Sequence, residues 1–178
     1  MFKRIKIFSV FILFFTIIII SKNANATEDS VPYIECEFFE VIFSENGIAK
    51  YKLNAPKVVR SIDTNVEFPL GGELMSYDND GSVIFIAHSN MAFYNTEKKI
   101  WRFRGDVEIK TIKEKAQLNT EDLYWDCTEK IFYTESFIRI EKEVNSLTGE
   151  GLKANQDLSL YSVIKPSGSL HLELKNKS

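Results

Sequence analysis

The sequence predicts an all-β domain, and three observations predict it. Past residue 26, short runs alternate apolar with polar residues, and no 3.6-residue periodicity lasts longer than about one turn. The runs are divided by polar turn residues at roughly 8–12-residue spacing, the pattern of a β-sandwich, barrel or roll. The chain also repeats itself: Asn90–Lys110 aligns without gaps on Glu121–Glu141, an offset of 31 residues. In that register Phe93 meets Tyr124, Tyr94 meets Trp125 and Lys99-Ile100-Trp101 meets Lys130-Ile131-Phe132. A gapless echo of hairpin size predicts stacked strands that share one apolar interior.

The elements follow in order. Lys3, Arg4 and Lys6 precede 14 residues, Ile7 to Ile20, broken only by Ser9 and Thr16, and Ala24-Asn25-Ala26 closes the segment. A spanning helix needs about 20 apolar residues, so residues 1–26 are expected to be a signal peptide or a membrane anchor, with cleavage favoured. The charges place its N-terminus in the cytoplasm under either reading, and the remainder is expected to be exported. Residues 27–32 read as a linker ended by Pro32, and 33–175 as the β domain.

Tyr33 to Phe43 is an aromatic, β-branched strand whose imperfect alternation hides a bulge. Asn46-Gly47 is a turn into Ile48–Asn54, where Tyr51 and Leu53 share a face opposite Lys50 and Lys52. Ala55-Pro56 is expected to interrupt this strand, because proline cannot donate to a ladder, leaving a separate short run at Lys57–Ser61. Phe68 to Gly72 is a corner, and Asp78-Asn79-Asp80-Gly81 closes a hairpin between Glu73–Tyr77 and Val83–Ala87. Val107 and Ile109 alternate cleanly, as do Ile138 and Ile140. Leu158 and Leu160 are expected to continue the pattern, and Leu170, Leu172 and Leu174 to end it. Gly149 and Gly151 are expected where side chains would clash.

Removing residues 1–26 takes away four positive residues (Lys3, Arg4, Lys6 and Lys22) and no acids, lowering the formal charge from −3 to −7. An acidic domain is a poor partner for nucleic acid, and any anionic amphiphile would be held by its apolar part. The sequence has no G-x-S-x-G, H-E-x-x-H, P-loop or Rossmann glycine pattern, so no enzyme activity and no cofactor are expected. His88 and His171 with Cys36 and Cys127 make no metal-ligand spacing. Whether the two cysteines pair is left open. Glu121, Asp122 and Asp126 read as a solvated face. The aromatic centre (Phe93, Trp101, Phe103, Tyr124, Trp125, Phe132) reads either as closed core or as the lining of an apolar groove.

Several short motifs then carry a resemblance. L-Y-W-D, K-I-F-Y-T-E-S-F-I-R-I, L-T-G-E-G-L-K-A-N-Q-D-L-S-L-Y and K-P-S-G, with F-S-E-N-G-I-A-K-Y-K-L-N-A-P, E-F-P-L-G-G-E-L and G-D-V-E-I upstream, resemble the LptC family. The resemblance covers roughly Glu35 to Gly168. It implies a twisted, open antiparallel β-jellyroll like that of the bridge protein LptA. It also implies a non-enzymatic periplasmic protein at the inner membrane that accepts lipopolysaccharide from the inner-membrane ABC transporter and passes it to an LptA-like bridge protein. Members of the family are usually tethered, whereas Ala24-Asn25-Ala26 points to cleavage. That leaves two other readings open: a soluble bridge-type protein, and an exported structural or adaptor β domain with a closed core.

On the lipid-transit reading, acyl chains lie against Phe103, Val107, Ile109, Leu123, Trp125, Ile138, Ile140, Leu158 and Leu160, in a trough whose side chains stay apart. The pattern at 123–125 leaves open which face is inward. Edge strands carrying Phe38, Phe39 and Val41, and Leu170, Leu172 and Leu174, would meet partner proteins strand to strand.

Overall fold

The structure is a computed structural model that describes residues 34–60 and 65–167. The expected export segment 1–26, the linker 27–32 and the run holding Leu170, Leu172 and Leu174 lie outside the described residues. Eleven strands follow one another: β1 Ile34–Glu45, β2 Ile48–Arg60, β3 Asn65–Phe68, β4 Gly72–Tyr77, β5 Val83–Ser89, β6 Met91–Asn95, β7 Ile100–Thr111, β8 Ala116–Asp126, β9 Ile131–Lys142, β10 Asn145–Asn155 and β11 Tyr161–Ser167. All pairings are antiparallel and join them in one large sheet of the jellyroll kind, with no helix among the described residues.

The sheet forks because its long strands change partner halfway. One edge of β2 pairs with β4 through Tyr51–Asn54 and with β3 through Val59–Arg60. The matching edge of β7 pairs with β5 through Glu108–Thr111 and with β6 through Ile100–Arg104. β4–β5 and β3–β6 therefore form two branches between the same pair of strands. The long strand β7 breaks its regular geometry where the branches part. The break is at Gly105-Asp106, with φ of 72° and 51° and a register shift between Arg104 and Val107.

Pro56 does not end its strand, against the sequence expectation. Ile48–Arg60 runs through it, and the position facing it on β1 is Phe38, which has φ 53° and no ladder pair although Glu37–Lys57 and Phe39–Ala55 keep one register on either side. An unpaired position opposite a proline asks for no ladder hydrogen bond, so the missing donor costs little.

The folded branches bring inward faces together. Phe85 on β5 meets Trp125 on β8 and Phe132 on β9 edge-on, with ring centroids 4.9 and 5.0 Å apart. These pairs are not neighbours in the sheet, so they are contacts across the interior. Where β8 and β9 lose register between Thr120 and Tyr124, two buried threonines satisfy the carbonyls the break leaves over. Thr120 Oγ1 donates to the Phe137 carbonyl at 2.8 Å and Thr134 Oγ1 to the Asp122 carbonyl at 2.5 Å.

The 31-residue echo is visible as stacked turns. Lys99 and Lys130 both have φ 57°, and Asn95 and Asp126 accept backbone N–H bonds from the turns they open. Cys127 N donates to the Lys99 carbonyl and Gln156 N to the Lys130 carbonyl, tying each turn to the next. Gly149 and Gly151 sit under β11. A Cβ on Gly149 would stand 2.5 Å from Val163 Cγ1 and 2.6 Å from the Lys165 carbonyl oxygen, and one on Gly151 would meet Ile164. The T-G-E-G motif is thus packing against the last described strand.

Candidate functional site

The interior is built by alternation along the long strands, as where β7 sends in Trp101 and Phe103 and then Val107 and Ile109. Of the nine residues expected to line it, Phe103, Val107, Ile109, Leu123, Trp125, Ile138, Ile140 and Leu158 are all buried in one apolar cluster. The open choice at 123–125 is resolved: Leu123 and Trp125 face inward, while Tyr124 stacks on Tyr133 with centroids 5.2 Å apart.

Leu160 is a correction. It is 75% exposed, because 156–160 is a turn and not a strand. Leu158 N donates to the Asn155 carbonyl and Asn155 N to that of Leu160, so the L-S-L spacing reflects a turn that drops Leu158 into the core and turns Leu160 out. Leu158, with φ 56°, enters the core from that turn.

The centre is closed. The void beside Leu53, Leu74, Ala87, Ala92, Trp101 and Phe103 measures about 10 Å³, about the least that admits one water. The expected trough of separated side chains is therefore not open there. Access improves at the margins, where Cys36, Phe39 and Val41 of β1, with Tyr51, Tyr94, Cys127 and Val163, pack on the core while only partly buried.

β1 pairs only with β2, and β11 only with β10, among the described residues, so each offers a free edge. Phe38, at 89% exposure, projects outward from β1, while Phe39 and Val41 lean inward. β1 is held to its neighbour by Glu35–Lys57 at 2.5 Å and Glu40–Lys52 at 3.3 Å. These half-exposed pairs contribute about 0–1 kcal/mol each.

The rim has a polar, titratable component. Burial pushes the Cys127 thiol up to about 12, with the Asp126 charge adding to it, and burial together with Cys127 pushes Tyr51 up to about 12. Both thiols, Cys36 and Cys127, are free. A folded-state value above the unfolded one favours the protonated form, so this stability is complete below about pH 8.5 and is lost as pH rises towards 12. The melting temperature is expected to fall over that window, and less steeply in Cys127→Ala. Equal slopes would exclude Cys127 as a source.

Of the acids singled out in the sequence, Glu121 is exposed while Asp122 and Asp126 have structural partners. Arg102 Nε and Nη2 donate to Asp122 at 3.0 and 2.5 Å, and Asp126 accepts two backbone bonds in its turn. His88 lies 3.4 Å from Glu73 on the outer face, beside a polar depression of about 530 Å³ lined by Gly72, Ser89, Asn90, Asp106 and Glu108. No group of three His, Cys, Asp or Glu residues suited to a metal occurs among the described residues. His171 lies outside them. Sequence reasoning missed the Arg102–Asp122 pair, whose signal was the polar phase of the strands carrying Trp101 and Trp125.

The described residues thus form a forked antiparallel β-roll with one apolar interior and with β1 and β11 at its free edges. Residues 6–165 match the family model described as "Lipopolysaccharide-assembly, LptC-related". The chain therefore belongs to the LptC family, whose members are envelope-associated lipopolysaccharide-transport proteins. No match emerges among curated proteins.

Proposed function

We propose that this chain accepts lipopolysaccharide from the inner-membrane ABC transporter and passes it to an LptA-like bridge protein, on the periplasmic side. Residues 1–26 serve for export or anchoring, and residues 33–175 are the transit domain. The observation that carries this reading is the continuity of inward apolar side chains from Phe39 and Val41 on one free-edged strand to Val163 on the other. Each acyl methylene moved out of water contributes about 0.8 kcal/mol, enough for several chains to outweigh the packing lost when the roll parts to admit them. Entry runs from the β1 margin, where the inward side chains Cys36, Phe39 and Val41 are only partly buried. The edges bearing Phe38, Phe39 and Val41, and Leu170, Leu172 and Leu174, receive the neighbouring proteins by strand addition.

The closed centre favours a second reading, an adaptor domain with a permanent core. Photo-crosslinking separates the two. Probes at Val41, Ile138 and Ile140 are expected to capture lipopolysaccharide, while one at Arg139, exposed on the opposite face, is not. Equal capture at Ile140 and Arg139 would remove the interior assignment, and no capture anywhere would favour the adaptor.

A further inference from the structure

The outer face of β6 to β10 carries a second aromatic row that the core does not use. Successive cross-strand neighbours are Phe93, Arg102, Tyr124, Tyr133 and Lys153, one from each of five adjacent strands. At about 4.8 Å per strand, the row extends about 19 Å. Its origin is the 31-residue echo, which places one aromatic of each pair inward (Tyr94, Trp125) and the one before it outward (Phe93, Tyr124).

The row is preorganised. The Arg102 guanidinium stands 5.2 Å from the Tyr124 ring centre and is held by Asp122, and the Tyr124 and Tyr133 rings are parallel within 9°. Among the described residues the hydroxyls of Tyr124 and Tyr133 make no hydrogen bond, and Lys153 and Arg104 make no ion pair. Lys153 pairs with Ser162 of β11, so the row reaches the free edge. The corresponding outer row of the other branch, Asn54, Glu73, His88, Glu108, Asn119 and Arg139, contains no aromatic ring except the imidazole.

Aromatic side chains with free phenol donors and flanking cations suit a saccharide. Its C–H surfaces pack on rings, its hydroxyls meet polar groups, and its anionic substituents meet ammonium and guanidinium. A lipopolysaccharide whose acyl chains enter the roll must leave its sugars outside it. We propose that the row from Phe93 to Lys153 is a binding site for the saccharide portion of lipopolysaccharide. This rests on the transit reading above.

The test uses the full chain and the oligosaccharide cleaved from its lipid, followed by calorimetric titration. Binding is expected, weakened about 10-fold by Lys153→Glu and by the double change Tyr124→Ala, Tyr133→Ala, and unchanged by Arg139→Glu on the other branch. Lys153 is exposed, so its variant folds even if the tyrosine pair is needed for the sheet. No binding, or equal weakening by Arg139→Glu, overturns the site. If crosslinking at Ile140 still captures intact lipopolysaccharide while the oligosaccharide fails to bind, the saccharide site alone falls. Oligosaccharide binding without capture at Ile140 removes the interior assignment instead.

Discussion

Trp125→Ala is expected to destabilise the domain by about 3–5 kcal/mol, read as a lowered urea midpoint with an unchanged slope. The indole is fully buried in the interior, edge-on to Phe85 of β5 at 4.9 Å and to Tyr51 of β2 at 5.3 Å. Its removal opens a cavity that rigid strands on both sides cannot collapse to fill. Trp125→Phe is expected to cost much less. It retains a ring against Phe85, and it deletes an indole N–H that has no hydrogen-bond partner among the described residues. Leaving such a donor buried costs about 1–3 kcal/mol, which partly offsets the lost volume. If phenylalanine proved as damaging as alanine, the ring contact would not be the source of the stability.

The second large effect is expected at Gly71→Ala. The residue closes the corner between β3 and β4, where its N–H donates to the Phe68 carbonyl and its φ is 63°. A Cβ there would lie 1.8 Å from the carbonyl oxygen of Ser89, a backbone atom that cannot swing aside. The corner and the β5–β6 crossing must separate, adding overpacking of about 1–3 kcal/mol or more to a left-handed backbone cost of about 1–2 kcal/mol. Gly81→Ala is the matched control. Gly81 has φ 83° with nothing within 4 Å of the added carbon, so only the backbone cost applies. Denaturation of the two variants side by side checks this, and equal losses would show that the Ser89 contact relaxes freely.

Both predictions concern places where reading the chain was only half sufficient. The corner at Phe68-Pro69-Leu70-Gly71-Gly72 was legible because Pro and Gly restrict or free φ locally. That Gly71 must have no side chain depends on Ser89, which the chain reaches only after a hairpin. The inward phase of Val107, Ile109, Ile138 and Ile140 was equally legible, because a period of two leaves one apolar face. Leu158 and Leu160 shared that spacing and misled, since two alternate residues in a turn look like two in a strand. Pro56 misled in the opposite direction. Its missing N–H argued for a break, and only the unpaired, positive-φ Phe38 opposite shows why the strand continues.

Local pattern thus specified most of the strands, the facing of Val107, Ile109, Ile138 and Ile140, and the stacked repeat, since each depends on neighbours within a few residues. The resemblance carried by the ordered motifs pointed to the family that the match over residues 6–165 shows. The fork of the sheet, the closed void of about 10 Å³ and the choice of Trp125 over Tyr124 for the core had to wait for the packed molecule. They are set by which distant faces meet, and close packing of side chains far apart in the chain leaves no periodic trace along it.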